Sequence, residues 1–204
     1  EQLGAKAYLS LSPEHSFIQY FNENGYRYNF ETTNGNLVNQ TWLMQSNYIN
    51  ATALKNKTYL DTLSNRQLYA QLLSDLLQNY TEKVGYDEFS EQLTKQILTL
   101  NPKNLVAIMT QANYNTFIAR DELKSAGNPP VNQITNYPKA NQAYQNMLQS
   151  YQLIEEQGFQ DMPKDTYQQW LKTIETEKKK QENQDIQKRM KAEIEMLKKL
   201  KPKM

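Results

Sequence analysis

The stretch that decides the fold is Pro13-Glu14-His15-Ser16-Phe17-Ile18-Gln19-Tyr20-Phe21-Asn22-Glu23-Asn24-Gly25-Tyr26-Arg27-Tyr28-Asn29-Phe30-Glu31. Two runs rich in aromatic and β-branched residues flank an Asn-Glu-Asn-Gly turn signal, which predicts a β-hairpin. Loop length sets which side chains share a face. A two-residue Asn24-Gly25 loop pairs Ile18 with Glu31 and Tyr20 with Asn29, mixing apolar with polar. A three-residue loop, Glu23-Asn24-Gly25 with Gly25 left-handed, pairs Asn22 with Tyr26 and Phe17 with Glu31. One face is then Ser16, Ile18, Tyr20, Tyr26, Tyr28 and Phe30; the other is His15, Phe17, Gln19, Phe21, Arg27, Asn29 and Glu31. Burial of one face specifies register, so the three-residue loop is the expected one. It sets His15 and Glu31 on one face, diagonal across the strand pair, roughly 7–8 Å apart at the backbone.

Working outward, Ala5 to Leu11 is short and apolar and predicts a buried strand, punctuated by Pro13. Glu1-Gln2-Leu3-Gly4 reads like the last turn of a helix stopped by glycine, so an upstream part of the protein is expected to precede residue 1. From Ser64 the period changes to 3.6. Ser64 and Gln67 form a capping box, followed by an apolar stripe of Leu68, Leu72, Leu73, Leu76, Leu77 and Tyr80. A second helix is expected from about Asp87 to Leu100, with Phe89, Leu93, Ile97, Leu98 and Leu100 inside. Asn101-Pro102 reads as an N-cap with proline at the first helical position. The third helix, about 103–124, ends at Gly127-Asn128-Pro129-Pro130. The fourth runs from about Tyr137 to Gln157, stopped by Gly158, and Pro163 starts a fifth.

The starts at Ser64 and Asn101 lie 37 residues apart, a spacing that suggests tetratricopeptide-like helical hairpins. Stacked hairpins leave a concave surface that could bind a protein or peptide, or they could merely buttress their neighbour. Tyr114, Tyr144 and Tyr151 are candidates to line such a groove or to pack in the core. The last segment is the most polarised: residues 164–204 carry 12 basic and 7 acidic side chains, against 11 and 15 before them. Residues 175–185 have no apolar face. Ile186, Met190, Ile194 and Leu197 then recur at helical spacing, a narrow seam for self-association or partner docking. The sequence thus reads as α+β. Residues 1–60 form a β-hairpin/sheet region, 61–163 the helical hairpins and 164–204 a long charged C-terminal helix.

Composition excludes much chemistry. The 204 residues contain no cysteine and one histidine. No disulfide framework, thiolate zinc site, thiol nucleophile or multi-histidine metal site can be built from them. No cofactor is implied. A net charge of +1 argues against nucleic-acid binding by bulk charge, and apolar runs of a few residues argue against a transmembrane segment. With 21 Asn and 22 Gln, about a fifth of the chain is amide, the composition expected of a secreted or envelope protein of an AT-rich genome. Carbohydrate hydrolysis by paired carboxylates has no supporting pair on any strand.

The remaining chemistry is His15 with Glu31. A carboxylate orients an imidazole, fixes its tautomer and stabilises its protonated form, and such an imidazole can activate a nucleophile supplied from elsewhere. The alternative is a surface histidine beside a surface glutamate. Pro13-Glu14-His15-Ser16-Phe17-Ile18 and Tyr28-Asn29-Phe30-Glu31-Thr32-Thr33-Asn34-Gly35 resemble the second half of a transglutaminase-like domain, of the papain-like Cys-His-Asp superfamily. The resemblance extends to Leu3–Leu11, Tyr59–Ser64, Gly158–Pro163 and Glu177–Lys180 after Trp170-Leu171. These segments resemble uncharacterised bacterial proteins that join a transglutaminase-like half to a tetratricopeptide-like half.

The resemblance implies that His15 is the catalytic base and Glu31 its orienter, where the family usually has Asp. It implies a nucleophilic Cys at a helix N-terminus before residue 1, where the dipole lowers its pKa. A thiol hydrolase or acyltransferase acting on peptide amides is then expected, in the bacterial envelope or periplasm, and inactive as these 204 residues alone. The alternative expectation is a non-catalytic interaction module on a degenerate transglutaminase fold.

Overall fold

In the computed structural model, residues 4–33, 35–161, 163–166, 168 and 172 are described. The architecture is α+β. Strands β1 (Lys6–Ser12), β2 (His15–Phe21), β3 (Arg27–Glu31) and β4 (Asn36–Val38) form an antiparallel sheet in chain order. Helices α1 (Gln40–Ser46), α2 (Ala51–Lys55), α3 (Asn65–Lys83), α4 (Glu88–Leu100), α5 (Leu105–Ser125) and α6 (Pro138–Glu156) follow, with a 3-10 segment at Val131–Asn136. Glu1–Gln160 is one compact unit and Asp161–Met204 a second. The seam Ile186, Met190, Ile194 and Leu197 lies outside the described residues, as does the helix end expected at Glu1–Leu3. Among the described residues, no helix is long and apolar enough to cross a membrane.

The β2–β3 hairpin closes with the three-residue loop. Tyr20 pairs with Tyr28 and Phe21 with Arg27. The Asn22 N–H donates to the Tyr26 carbonyl at 3.1 Å, and the Gly25 N–H donates to the Asn22 carbonyl at 2.9 Å. Gly25 sits at φ 78°, the left-handed value a side chain resists. The Asn22 carboxamide adds a bond from the Tyr26 N–H.

This register turns the polar-rich face inward. Phe17, Gln19, Asn29 and Glu31 are buried, whereas Tyr20, Tyr28 and Phe30 on the opposite face are exposed. The inward amides are matched in part: Gln19 Nε2 donates to Asn29 Oδ1 and to the Leu60 carbonyl, at 3.2 and 3.0 Å, while the buried Gln19 Oε1 has no partner among the described residues. In β1 the alternation corrects the expectation of a uniformly buried strand. Ser10 and Ser12 face inward and are buried, while Ala7, Leu9 and Leu11 are only half-buried on the other face.

Phe17 anchors a core with Leu43, Ile49, Ala53, Tyr59 and Leu60, to which Leu105 and Phe159 also pack. The sheet is thereby joined to the start of α5 and the end of α6. That end is tied by three side chains from about a hundred residues away. Asn50 Nδ2, Asn56 Nδ2 and Thr58 Oγ1 donate to the carbonyls of Gly158, Glu156 and Gln157 at 3.0, 2.5 and 2.7 Å. Carbonyls at a helix C-terminus lack intrahelical donors, and here a distant loop supplies them. Gly158, at φ 79°, makes the approach possible: a Cβ there would stand 2.4 Å from the Ala53 nitrogen.

A second core, Ala70, Leu77, Leu93, Ile97 and Ala107, joins α3, α4 and α5. The Ser64–Gln67 capping box forms as expected. The stripe on α3 needs correction, because Leu72 and Leu76 are 59% and 49% exposed. The buried line runs through Ala70, Ser74 and Leu77, where small side chains let the neighbouring helices come close. Phe89 is likewise exposed, in a tilted ring contact with Tyr80. The α4–α5 corner also differs. Asn101 is the C-cap of α4, and Asn104 is the N-cap of α5, its Oδ1 accepting from the Ala107 N–H at 2.9 Å. Pro102 disfavours helical backbone at residue 101, so the helix restarts later.

Candidate functional site

His15 opens β2 after the turn Pro13-Glu14, paired across β1 with Ser12. Proline fixes the first turn residue near φ −65°, and Glu14 follows at φ 54°. A left-handed non-glycine residue costs about 1–2 kcal/mol, so the backbone just before His15 is held against a local preference. Glu31 closes β3 at the other end of the diagonal. The structure brings the two together: His15 Nε2 lies 2.6 Å from Glu31 Oε2. Glutamate's second methylene supplies the reach the diagonal needs.

Glu31 is 5% exposed, and its two oxygens are separately committed. Oε2 faces His15. Oε1 accepts from the Thr33 backbone N–H at 2.9 Å and from the Thr33 hydroxyl at 2.6 Å. A turn closed by the Gly35 N–H donating to the Glu31 carbonyl brings Thr33 back under the carboxylate. Burial pushes the Glu31 carboxyl up. The Thr33 hydroxyl, the Thr33 N–H and His15 together outweigh it, and the carboxyl sits below its ordinary value.

An ionised carboxylate only accepts hydrogen bonds. With Glu31 ionised, Nε2 carries the proton of the shared bond, and Nδ1 of the neutral ring is left as the proton acceptor. The His15 side chain is 32% exposed, so solvent can reach the ring. The arrangement can take a proton at Nδ1 while Glu31 holds the ring in one orientation. Thr33 stands in the quoted resemblance, but sequence reading gave it no role. Its signal was local: a hydroxyl residue two positions after a carboxylate commonly returns a bond to it.

Of the tyrosines read as candidates for groove lining or core packing, Tyr114 lines a cavity, with residues of α4, α5 and α6. Tyr144 and Tyr151 do not line it; Tyr144 is half-buried and Tyr151 exposed. Comparison with protein-family models, with curated proteins and with solved structures gave no match.

Proposed function

We propose that His15 and Glu31 are the base and the orienting carboxylate of a transglutaminase-like thiol site that acts on peptide amides in the bacterial envelope. The observation that carries this reading is the 2.6 Å contact between His15 Nε2 and a buried carboxylate whose other oxygen is pinned by Thr33.

The proposed reaction uses the ring as Glu31 holds it. His15 Nδ1 takes the proton of a cysteine thiol, and the thiolate adds to the carboxamide carbon. The imidazolium returns that proton to the departing amine as the C–N bond breaks, leaving a thioester. Water or a second amine, deprotonated by the same nitrogen, then releases the acyl group. Glu31 stays ionised throughout and stabilises the imidazolium. The thiol is not among these 204 residues, so they are expected to be inert by themselves.

The test begins with the coding sequence ahead of Glu1, which should contain a Cys roughly one helix length before Leu3. Protein carrying that Cys should be alkylated by iodoacetamide at pH 7 at least tenfold faster than its His15→Ala variant. Absence of the Cys, or equal alkylation rates, would sink the reading.

A further inference from the structure

The sheet has its faces reversed. An antiparallel sheet with one face on the core ordinarily sets apolar side chains inward and polar ones outward. Here the inward face carries Ser10, Ser12, Gln19, Asn29 and Glu31 around Phe17, all buried. Two of its atoms, Ser10 Oγ and Gln19 Oε1, are buried without a hydrogen-bond partner among the described residues. The outward face is the apolar one. Leu9 pairs with Ile18, Ile18 with Phe30 and Phe30 with Leu37, so one apolar row crosses all four strands. Ala7, Tyr20 and Tyr28 form the next row. Lys6, His15, Arg27 and Glu31, the basic and acidic residues of the strands, all alternate onto the other face.

This apolar face is open. Tyr20, Tyr28, Phe30 and Leu37 are 40, 40, 38 and 64% exposed, and Leu9 and Ile18 beside them are half-buried. Tyr26, 66% exposed, lies two residues before Tyr28 and so on the same side of the extended chain. At about 150–250 Å² for a whole aromatic side chain, these residues leave roughly 550 Å² uncovered. A monomer's largest apolar patch is of about this size and is often functional.

We infer that this face is an interface between two copies of the chain, packed sheet to sheet about a two-fold axis. Width favours a second sheet. The row from Leu9 to Leu37 spans three strand spacings, roughly 14 Å, whereas a whole helix is about 10–12 Å across and would leave an edge leucine open. Charge favours a second copy. A two-fold axis sets a patch against itself, so a charged patch would repel its copy, and neither row holds a charge. Area sets the strength. Two such patches bury roughly 1,100 Å², enough for a specific contact but below the standard size. Tyr20 and Tyr28, with ring centroids 6.4 Å apart, are the residue type enriched in interface cores. The inference uses the face turned away from His15 and stands apart from that reading.

The test is sedimentation velocity of the full 204-residue chain from about 5 to about 500 µM. A reversible monomer–dimer equilibrium is expected, with a Kd on the order of 10–100 µM. Leu37→Lys and Tyr28→Lys each set a charge against its own copy and should weaken association about tenfold or more. Both replace side chains that already reach solvent, so the melting temperature should stay near that of the wild type. Leu72→Lys makes the same change at a 59% exposed leucine of α3 and should leave the Kd unchanged. Proton NMR signals of the Tyr20, Tyr28 and Phe30 rings should shift with protein concentration over the same range. The inference is overturned by a chain that stays monomeric at about 500 µM; flotation of that monomer with phosphatidylcholine vesicles would give the face to lipid. It is equally overturned by a dimer that both lysine variants retain, and by one lost on Ile194→Lys but not on theirs, which would give self-association to the C-terminal seam.

Discussion

The two polar sites of this molecule are built on opposite plans. Around His15 and Glu31 the ring, the carboxylate and Thr33 bond to one another. Both carboxylate oxygens are occupied and one ring nitrogen is held. On the cavity between α4, α5 and α6, the polar groups of Gln111, Asn115 and Asn146 face solvent, and Lys95 pairs with Glu91. A site that moves a proton at one atom needs its acceptor fixed. Polar groups that face water need no internal partner, because water supplies it. The difference teaches that an unmade internal bond marks a group only where water is shut out, as at Ser10 Oγ and Gln19 Oε1.

The strongest way to break the comparison is to disturb the joint on which both regions depend. Gly158→Ala puts a methyl group 2.4 Å from the Ala53 nitrogen and 2.9 Å from Asn50 Oδ1, at a φ of 79°. Backbone lines the space, so the clash cannot be relieved by a side-chain rotation. A loss of about 3 kcal/mol or more is expected, read as the urea midpoint of the wild type against the variant. A loss below about 1 kcal/mol would mean that the end of α6 is not seated on α2 and its flanking residues Asn50, Asn56 and Thr58. Gly85→Ala is the control. It also has positive φ, at 97°, but nothing stands within 4 Å of the added carbon, so it should cost only the backbone term, about 1 kcal/mol.

Glu31→Gln comes next and acts on one region only. It removes the charge that accepts from Thr33 and faces His15, and should cost about 2 kcal/mol at pH 7. Its pH dependence gives the sharper reading. The Glu31 carboxyl sits below its ordinary value of 4.5, so the unfolded chain takes up this proton before the folded one does. The stability it contributes is full above the ordinary glutamate range and is lost as the pH falls toward the folded value. The gap in stability between wild type and Glu31→Gln should therefore narrow from pH 6 to pH 3. A gap constant over that range would show that the carboxylate is not held as a charge.

How much of this was legible in the sequence depends on how local each cause is. The hairpin register was legible because Gly25 and the Asn22 carboxamide act within four residues of each other, and with it came the diagonal of His15 and Glu31. The Ser64–Gln67 box was legible for the same reason. Asn101 and Asn104 could both cap a helix, and the choice between them rests on the turn through Pro102 rather than on residue type. Helices α1 and α2 span 7 and 5 residues, too short to show a periodic stripe. They exist because Leu43 and Ala53 pack under Phe17. The exposure of Leu72 and Leu76 was illegible because a leucine-rich helix offers two adjacent apolar faces, and only the approach of α4 and α5 chooses.

The smallest effect tests the finest part of the comparison, the fixing of the acceptor. Thr33→Val removes the hydroxyl bond to Glu31 Oε1 but keeps the backbone N–H bond to the same oxygen, so stability should fall by about 1 kcal/mol. The Glu31 carboxyl should rise toward its ordinary value, read by carbon NMR of the labelled side chain, because burial is then opposed by one donor fewer. Thr33→Ser restores the hydroxyl and should restore the titration. If Thr33 only fills space, valine, nearly its equal in volume, leaves the carboxyl titration where it was, while serine, which is smaller, disturbs it more. That ordering would show that the carboxylate is not oriented from below, and the contrast with the water-facing groups of Gln111, Asn115 and Asn146 would lose its basis.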